Sequence, residues 1–347
     1  MKVLFLTPWY PSQKDAMSGL FVQKHVEAVR AQGVEVRVIF SQSWRDTWHQ
    51  WRALQQEGWM PDVVQLNIIQ KQGLLALWLK KRYDIPYVII EHWSGYLPEN
   101  GQYMQMSRFK RMFFQRIAAK ASMILTVSDR HAQAMQDCGM YNAHWGRIHN
   151  VVDDFFYEER RDHEIARSRN HEKRTLLHVS CFDEKAKNVK GLLRAAKSLS
   201  EKRQDWKLVL VGTGADYEEV RAYAKSIDIP EKMLEWTGEL SPQEVAKQMH
   251  KADALVLSSR YETYGVILAE AVAAGLPILS TPVGIAEEIE AQIVPQETAQ
   301  SQPERFAELM EAILFSDKSD KSGKSEPFTA KAVGKQLKAI YEQVCTR

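Results

Sequence analysis

The sequence predicts an α/β protein built from two parallel-sheet domains. Short runs rich in aliphatic and β-branched residues alternate with amphipathic helical stretches along most of the 347 residues. The alternation falls into two series, separated by a charged stretch with few apolar positions, Phe156 to Arg174. Strands alternating with helices imply parallel sheets covered by helices on both faces. A chain of this length suffices for two such domains, each with its own core.

The first series opens with a strand, Val3 to Thr7. An amphipathic helix, Leu20 to Gln32, is ended by Gly33, and Val34 to Phe40 is the second strand. Val63 to Asn67, Tyr87 to Ile90 and Met123 to Val127 read as further strands. The second series holds Thr175 to Ser180, Lys207 to Val211, Leu234 to Trp236, Ala254 to Ser258 and Pro277 to Ser280. A helix begins near Gly265, after a tight turn. Asp317 to Ser325 is a second polar linker, and Ala332 to Val344 reads as a closing helix. These readings give a first domain over 1–156, a second over 157–330 and a C-terminal helix over 331–347.

Composition narrows the function classes. Apolar content of 45% and charged content of 26% are those of a soluble globular protein. A net charge of +2 gives no argument for nucleic acid. Cys138, Cys181 and Cys345 are few, odd in number and far apart, with neither zinc spacing nor a disulfide framework. A reducing cytoplasm fits them. Val3 to Leu6 is too short for a signal-peptide core, and Pro8 and Pro11 follow at once. The most apolar segment, 265–279, carries Glu270 in its middle, so no bilayer-spanning run is expected.

The chemistry concentrates in Arg260 to Pro277. Glu262 and Glu270 stand eight positions apart around the start of an apolar helix. Glu262 follows the strand Ala254 to Ser258, while Thr263, Tyr264 and Gly265 stand at the helix N-terminus. In open α/β sheets this edge is where ligands bind. Helix-end amides and the helix dipole favour a phosphate there. Eight residues of mixed turn and helix span roughly 10–12 Å, about the distance from hexose to ribose in a nucleotide sugar. A carboxylate at each end can accept hydrogen bonds from hydroxyl pairs, with the amides between them holding the diphosphate. Two glutamates at this spacing alone fit surface charges on an ordinary βα unit equally well, so the flanking residues decide.

Those residues resemble the retaining glycosyltransferases of family 4, also called group 1. The family signature is E-x-[FY]-G-x-x-x-x-E followed by A-x-G-x-P, and Glu262, Tyr264, Gly265, Glu270, Gly275 and Pro277 fit it. The resemblance implies the GT-B fold: two Rossmann-like domains facing across a cleft, with a C-terminal helix crossing back to the first. It implies transfer of a sugar from a nucleotide-diphosphate donor to a hydroxyl of a glycan or lipid-linked acceptor, with retention at the anomeric carbon. It also implies roles for residues elsewhere. Gly19, in the loop after the first strand, matches a glycine that lies against the donor. His92, beyond the strand Tyr87 to Ile90, matches a histidine that hydrogen-bonds a sugar hydroxyl. Ser180 to Leu193 resembles the family's G-R-x-x-x-x-K-[GN] loop, whose arginine and lysine hold the diphosphate. Lys187-Asn188 matches the lysine, but Cys181 stands where the arginine is common; Lys185 and Lys190 are its candidate substitutes.

The expected catalytic set is therefore Lys187, Glu262 and His92, and the donor-binding set is Gly19, Thr263, Tyr264, Gly265 and Glu270. The nucleotide sugar is a substrate, and neither cofactor nor metal is expected; Asp153-Asp154 lacks metal spacing. Rival readings are a GT-B sugar-nucleotide epimerase or phosphorylase, or a non-catalytic two-domain sugar-binding protein. The last needs an export signal and has no use for a phosphate loop. Arg108 to Arg116 mixes basic and aromatic residues at helical spacing. The pattern favours an amphipathic core helix with Phe109, Met112 and Phe113 inward. The alternative is peripheral contact with anionic lipid at the inner face of the membrane. Trp44, Trp48, Trp51 and Trp59 fit either an acceptor-lining or a packing role.

Overall fold

The computed structural model describes residues 1–13, 18–158, 173–315 and 326–346. The chain divides into two compact units, Met1–Val151 with Glu326–Arg347, and Val152–Ser325. Each holds a six-stranded sheet, and every strand pairing in both is parallel.

The first unit runs β1 (Lys2–Thr7), α1 (Leu20–Arg30), β2 (Glu35–Phe40), α2 (Trp44–Gln56), β3 (Val63–Asn67), α3 (Gly73–Tyr83), β4 (Tyr87–Glu91), α4 (Arg108–Lys120), β5 (Met123–Thr126), α5 (Asp129–Asp137) and β6 (Trp145–Arg147). The strand order is β2-β1-β3-β4-β5-β6. Every residue of β3 and β4 is buried, because helices cover both faces of a parallel sheet. That is why both read as continuous runs rather than as alternating patterns. β6 escapes such a reading: it is a three-residue edge strand with no fully buried position.

The second unit runs β7 (Arg174–Val179), α6 (Glu184–Lys187), α7 (Val189–Lys202), β8 (Trp206–Val211), α8 (Tyr217–Ser226), β9 (Leu234–Gly238), α9 (Pro242–Lys251), β10 (Ala254–Leu257), α10 (Val266–Ala273), β11 (Ile278–Ser280), β12 (Gln292–Ile293), α11 (Gln296–Ser301) and α12 (Pro303–Leu314). Its order is β12-β11-β10-β7-β8-β9. Leu192 and Leu199 of α7 meet Phe306 and Met310 of α12 in one core with Trp206 and Val256. Helix α9 begins at a capping box between Ser241 and Glu244, with Pro242 at its first position.

The last helix, α13 (Ala330–Cys345), returns to the first unit. Val333, Leu337 and Tyr341 share a core with Val22, Val26 and Val29 of α1. A Cβ at Gly334 would lie 2.3 Å from the Ala28 carbonyl oxygen, so only a glycine permits this approach. The Tyr341 hydroxyl donates to the Gln65 side chain, and Lys338 Nζ donates to the Gln32 carbonyl at 3.2 Å.

Three expectations shift. The first boundary falls after Val151 rather than 156, because Phe156 is buried and its carbonyl meets His250 Nε2 of α9 at 3.3 Å. The return begins at Glu326 rather than 331, where Phe328 is buried edge-on to His149 at 4.8 Å. Of the two expected linkers, residues 159–172 and 317–325 lie outside the described residues. Finally, α4 does not bury the residues its pattern suggested. Phe109 and Met112 are exposed, Phe113 is half-buried, and Phe114, Ile117 and Ala118 face the core. The register follows from the Ser107 cap and from Ile117, whose side chain fills the space above Gly73.

The tryptophans separate by position. Trp51 and Trp59 are buried, and Trp59 Nε1 donates to Glu35 at 2.6 Å. Trp48 packs edge-on against Trp78, and Trp44 is half exposed.

Candidate functional site

In the second unit the strand order reverses between β7 and β10. The two loops leaving their carboxyl ends therefore part and open a crevice, the usual ligand position in such sheets. The β7 loop carries α6 and Lys187; the β10 loop carries Glu262. Lys187 Nζ lies 2.5 Å from Glu262 Oε1, joining residues 75 positions apart. Ser259 Oγ donates to the same carboxylate oxygen at 3.0 Å. Ser258 Oγ donates to the carbonyls of Lys187 and Asn188, both at 3.0 Å. Burial works against the Lys187 charge, but Glu262, followed by Cys181 and Asp183, raises its pKa above the ordinary lysine value. Lys187 is thus a fixed cation in a site 14% and 17% exposed at the paired side chains.

The β7 loop is braced from the β10 side by Arg260. Its amide donates to the Ala186 carbonyl at 2.7 Å, and its guanidinium donates to the Glu184 carbonyl and, at 2.9 Å, to Asn188 Oδ1. Asn188 turns the chain from α6 into α7 with φ of 51°, and its Nδ2 donates to the Ala299 carbonyl at 3.0 Å. Gly214 lies against the Phe182 backbone, and the Phe182 amide donates to the Thr213 carbonyl at 2.9 Å. The Gly-x-Gly turn therefore supports this loop.

Helix α10 starts from Gly265, which adopts φ of 73° and offers no side-chain cap. A left-handed start without a cap leaves the first-turn amides to other partners. Thr263 is half-buried, and Tyr264 buries its ring while its carbonyl accepts from the Ile285 amide at 3.0 Å. The Tyr264 ring is thus packed into the core, and its carbonyl ties the helix start to the loop before Ala286. Glu270 stands half-buried in the second turn of α10.

Of the other candidate cations, Lys190 is paired with Glu219 and lies 5.5 Å from the centre of the Tyr223 ring. Lys185 is exposed, as is Cys181. The fold brings Lys187, not Lys185 or Lys190, to Glu262. Ser258, Ser259 and Arg260 form the support that the sequence reading passed over; the only sequence signal was their place between strand and glutamate.

The first unit builds a second cluster at its own strand ends. Gly19 takes φ of 70°, and a Cβ there would lie 2.3 Å from the Trp9 carbonyl carbon. His92 follows β4 and is 7% exposed, its ring stacked 4.1 Å from that of Phe21. Its Nε2 has no hydrogen-bond partner among the described residues. Burial, reinforced by His25 and His131, holds its pKa well below the ordinary value, so the imidazole is neutral at pH 7. A neutral ring suits hydrogen bonding to a hydroxyl.

Beside it, the buried Glu91 carboxylate accepts the amides of Ile69 at 2.9 Å and of His92 and Trp93 at 3.0 Å. It fixes the loop that presents His92. Burial raises its pKa to about 7 against those hydrogen bonds. A cavity of about 770 Å³ in the same unit is lined by Lys71, Trp93, Gln102, Gln105, Lys110 and Phe113, among others. Among the described residues, no group of three or more His, Cys, Asp or Glu side chains is placed to hold a metal.

Two parallel sheets of this topology, with a helix returning from the second unit to the first, define a GT-B fold. Sucrose-phosphate synthase from Thermosynechococcus elongatus matches with a TM-score of 0.77 at 16% identity, over 100% of this chain and 99% of that one. Anabaena HepE in complex with UDP and glucose matches with a TM-score of 0.69 at 16% identity, over 99% of this chain and 100% of that one.

The chain belongs to the family 4, or group 1, glycosyltransferases. Residues 1–154 match the family described as Glycosyltransferase Family 4, and residues 159–325 match Glycosyl transferases group 1. A lipopolysaccharide 1,6-galactosyltransferase of Escherichia coli (strain K12) is 30% identical over 45% of this chain and 42% of its own length. An N-acetyl-alpha-D-glucosaminyl L-malate synthase of Bacillus anthracis is 31% identical over 40% of this chain and 35% of its own. The matches thus span less than half the length of these two relatives.

Proposed function

We propose that this protein is a retaining glycosyltransferase, moving a hexosyl group from a nucleotide-diphosphate donor to a hydroxyl of a glycan or lipid-linked acceptor. The observation that carries the proposal is the Lys187–Glu262 pair at the strand-order reversal of the second unit, beside the uncapped start of α10. A diphosphate seated there meets the Lys187 ammonium and the amides around Gly265. Glu262 receives hydroxyls of the hexose, and Glu270 those of the ribose.

As the bond between sugar and phosphate breaks, negative charge grows on the departing diphosphate. Lys187 and the helix-end amides oppose that charge where it develops, which lowers the barrier more than it strengthens ground-state binding. With no arginine at Cys181, Lys187 carries more of this work. A front-face displacement fits retention: the departing phosphate accepts the proton of the acceptor hydroxyl as that oxygen attacks. His92 positions a sugar hydroxyl through its unpartnered Nε2. Charge compensation comes from protein groups, so turnover should survive chelation of divalent metals.

The 770 Å³ cavity of the first unit combines an aromatic wall with amide groups and two lysines, a lining suited to an anionic glycan acceptor. The relative named as a galactosyltransferase and the neighbour holding UDP and glucose make UDP-hexoses the first donors to test.

A thermal-shift panel of UDP-, GDP- and ADP-sugars is the experiment. One donor class should raise the melting temperature, and Glu270→Ala should shrink the rise, since ligand binding to the folded state stabilises it. A flat response across the panel would reject the donor site.

A further inference from the structure

Helix α4 presents a face that the core does not use. Its buried side is formed by Phe114, Ile117 and Ala118. At 100° per residue, implied by the α-helical repeat, the opposite side carries Arg108, Phe109, Met112, Arg116 and Lys120. Phe109 is 82% exposed and Met112 is 53% exposed. The three basic residues are exposed as well, and α4 contains no acidic residue along its length. The basic surface continues onto the end of α3, where Lys80 Nζ donates to the Lys120 carbonyl at 2.9 Å and Lys81 and Arg82 follow.

We propose that this face of α4 docks on an anionic lipid bilayer, with Phe109 and Met112 entering the headgroup–acyl boundary and Arg108, Arg116 and Lys120 meeting lipid phosphates. Two apolar side chains flanked by cations are the composition of an interfacial helix. Charge complementarity selects this occupant over a second copy of the chain. A two-fold contact through this face would set the same cations against themselves. Among the described residues no helix is long and apolar enough to cross a membrane, so the attachment is peripheral and reversible. The cavity opens beside the same helix, through Lys110 and Phe113, so docking would bring a lipid-linked acceptor's head group close to it. Docking itself needs nothing from the donor site.

The test is co-sedimentation of the full chain with vesicles of phosphatidylcholine alone and of phosphatidylcholine mixed with phosphatidylglycerol, at low and at raised salt. The chain should bind only the mixed vesicles, and less as salt rises. At about a kilocalorie per mole for each surface cation, replacing Arg108, Arg116 and Lys120 by Gln should weaken partitioning roughly a hundredfold. Phe109→Ser with Met112→Ser should weaken it at least about tenfold. Both variants should keep the melting temperature and the donor-induced thermal shift of the parent, which separates this surface from the donor reading. Equal binding to both vesicle types, no binding to either, or undiminished binding by the glutamine variant would overturn the proposal. So would a chain that ignores anionic vesicles yet binds nucleic acid or self-associates through α4.

Discussion

In the donor site proposed above, Glu270 and Lys187 have different roles. If Glu270 accepts the ribose hydroxyls, Glu270→Ala should weaken donor and free nucleoside diphosphate alike, by roughly 1.5–3 kcal/mol. Titration calorimetry on the folded variant checks this, and an unchanged Kd would remove Glu270 from the site. Lys187 should act mainly on turnover, so Lys187→Met should lower kcat more than it raises the donor KM. The substitution also leaves the Glu262 carboxylate in a poorly solvated site without its cation. A buried charge stripped of its partner costs about 3–5 kcal/mol. Lys187→Met with Glu262→Gln should therefore recover much of the lost stability while remaining inactive. Denaturant unfolding and donor turnover, measured on the same samples, separate the two effects.

These two residues were legible because motif and position agreed. Glu262 follows a strand that reads as buried, and Lys187, with Asn188 after it, stands in the loop that follows the first strand of the second series. Arg260 was not legible. Its work is to hold carbonyls some 75 positions away, and nothing in local sequence announces which carbonyls will be near. Cys181 reads as a missing cation by resemblance alone, and which lysine faces the glutamate needed the fold. Tyr264 matched the signature by type, yet its ring is buried and only its backbone reaches the helix start.

At the scale of elements, central strands and long amphipathic helices announced themselves, whereas edge strands and one helix face did not. β6 and β12 hold three and two residues, too few to show a period. In α4 the apolar residues run nearly all the way round, so composition alone could not say which side meets the core.

Glu91 offers a test of how β3 and β4 are tied at their carboxyl ends. Its folded pKa, about 7, lies above the ordinary 4.5, so the folded chain keeps a proton that the unfolded chain has released. Stability from that proton is complete below pH 4.5 and is lost as pH rises through 7. The docking of α13 gives a steric counterpart. Gly334→Leu must push α13 away from the Ala28 backbone and should cost the first unit about 1–3 kcal/mol, read by denaturant unfolding. Parental stability in the Gly334→Leu variant would show that α13 is not seated on α1 as described.

For the whole molecule, buried neutral histidines set the acid limit. Burial lowers His25 and His131 in the first unit and His178 in the second to about 4, against an ordinary 6.5. Each contributes stability that is complete above pH 6.5 and is lost as pH falls through 4. Glu91 works in the opposite sense between 4.5 and 7, one group against these three together with His92 and His149, which burial lowers as well. The melting temperature should therefore fall on acidification from pH 7 to 5, and it should fall more steeply in Glu91→Gln. A variant with a slope no steeper than the parent's would mean that Glu91 is ionised throughout this range.

The most direct test of the donor site is phosphorus and proton NMR of the parent and of Lys187→Met with a UDP-hexose, or with whichever donor stabilises the chain, in the presence of a chelator and with water as the acceptor hydroxyl. The parent should release nucleoside diphosphate, and the anomeric carbon of the hexose first formed should keep the donor's configuration. Lys187→Met should release it at least about a hundredfold more slowly, as expected for loss of a transition-state charge contact. Equal release by parent and variant, release only with added metal, or an inverted product would contradict the assignment of Lys187 to the departing diphosphate and the mechanism built on it.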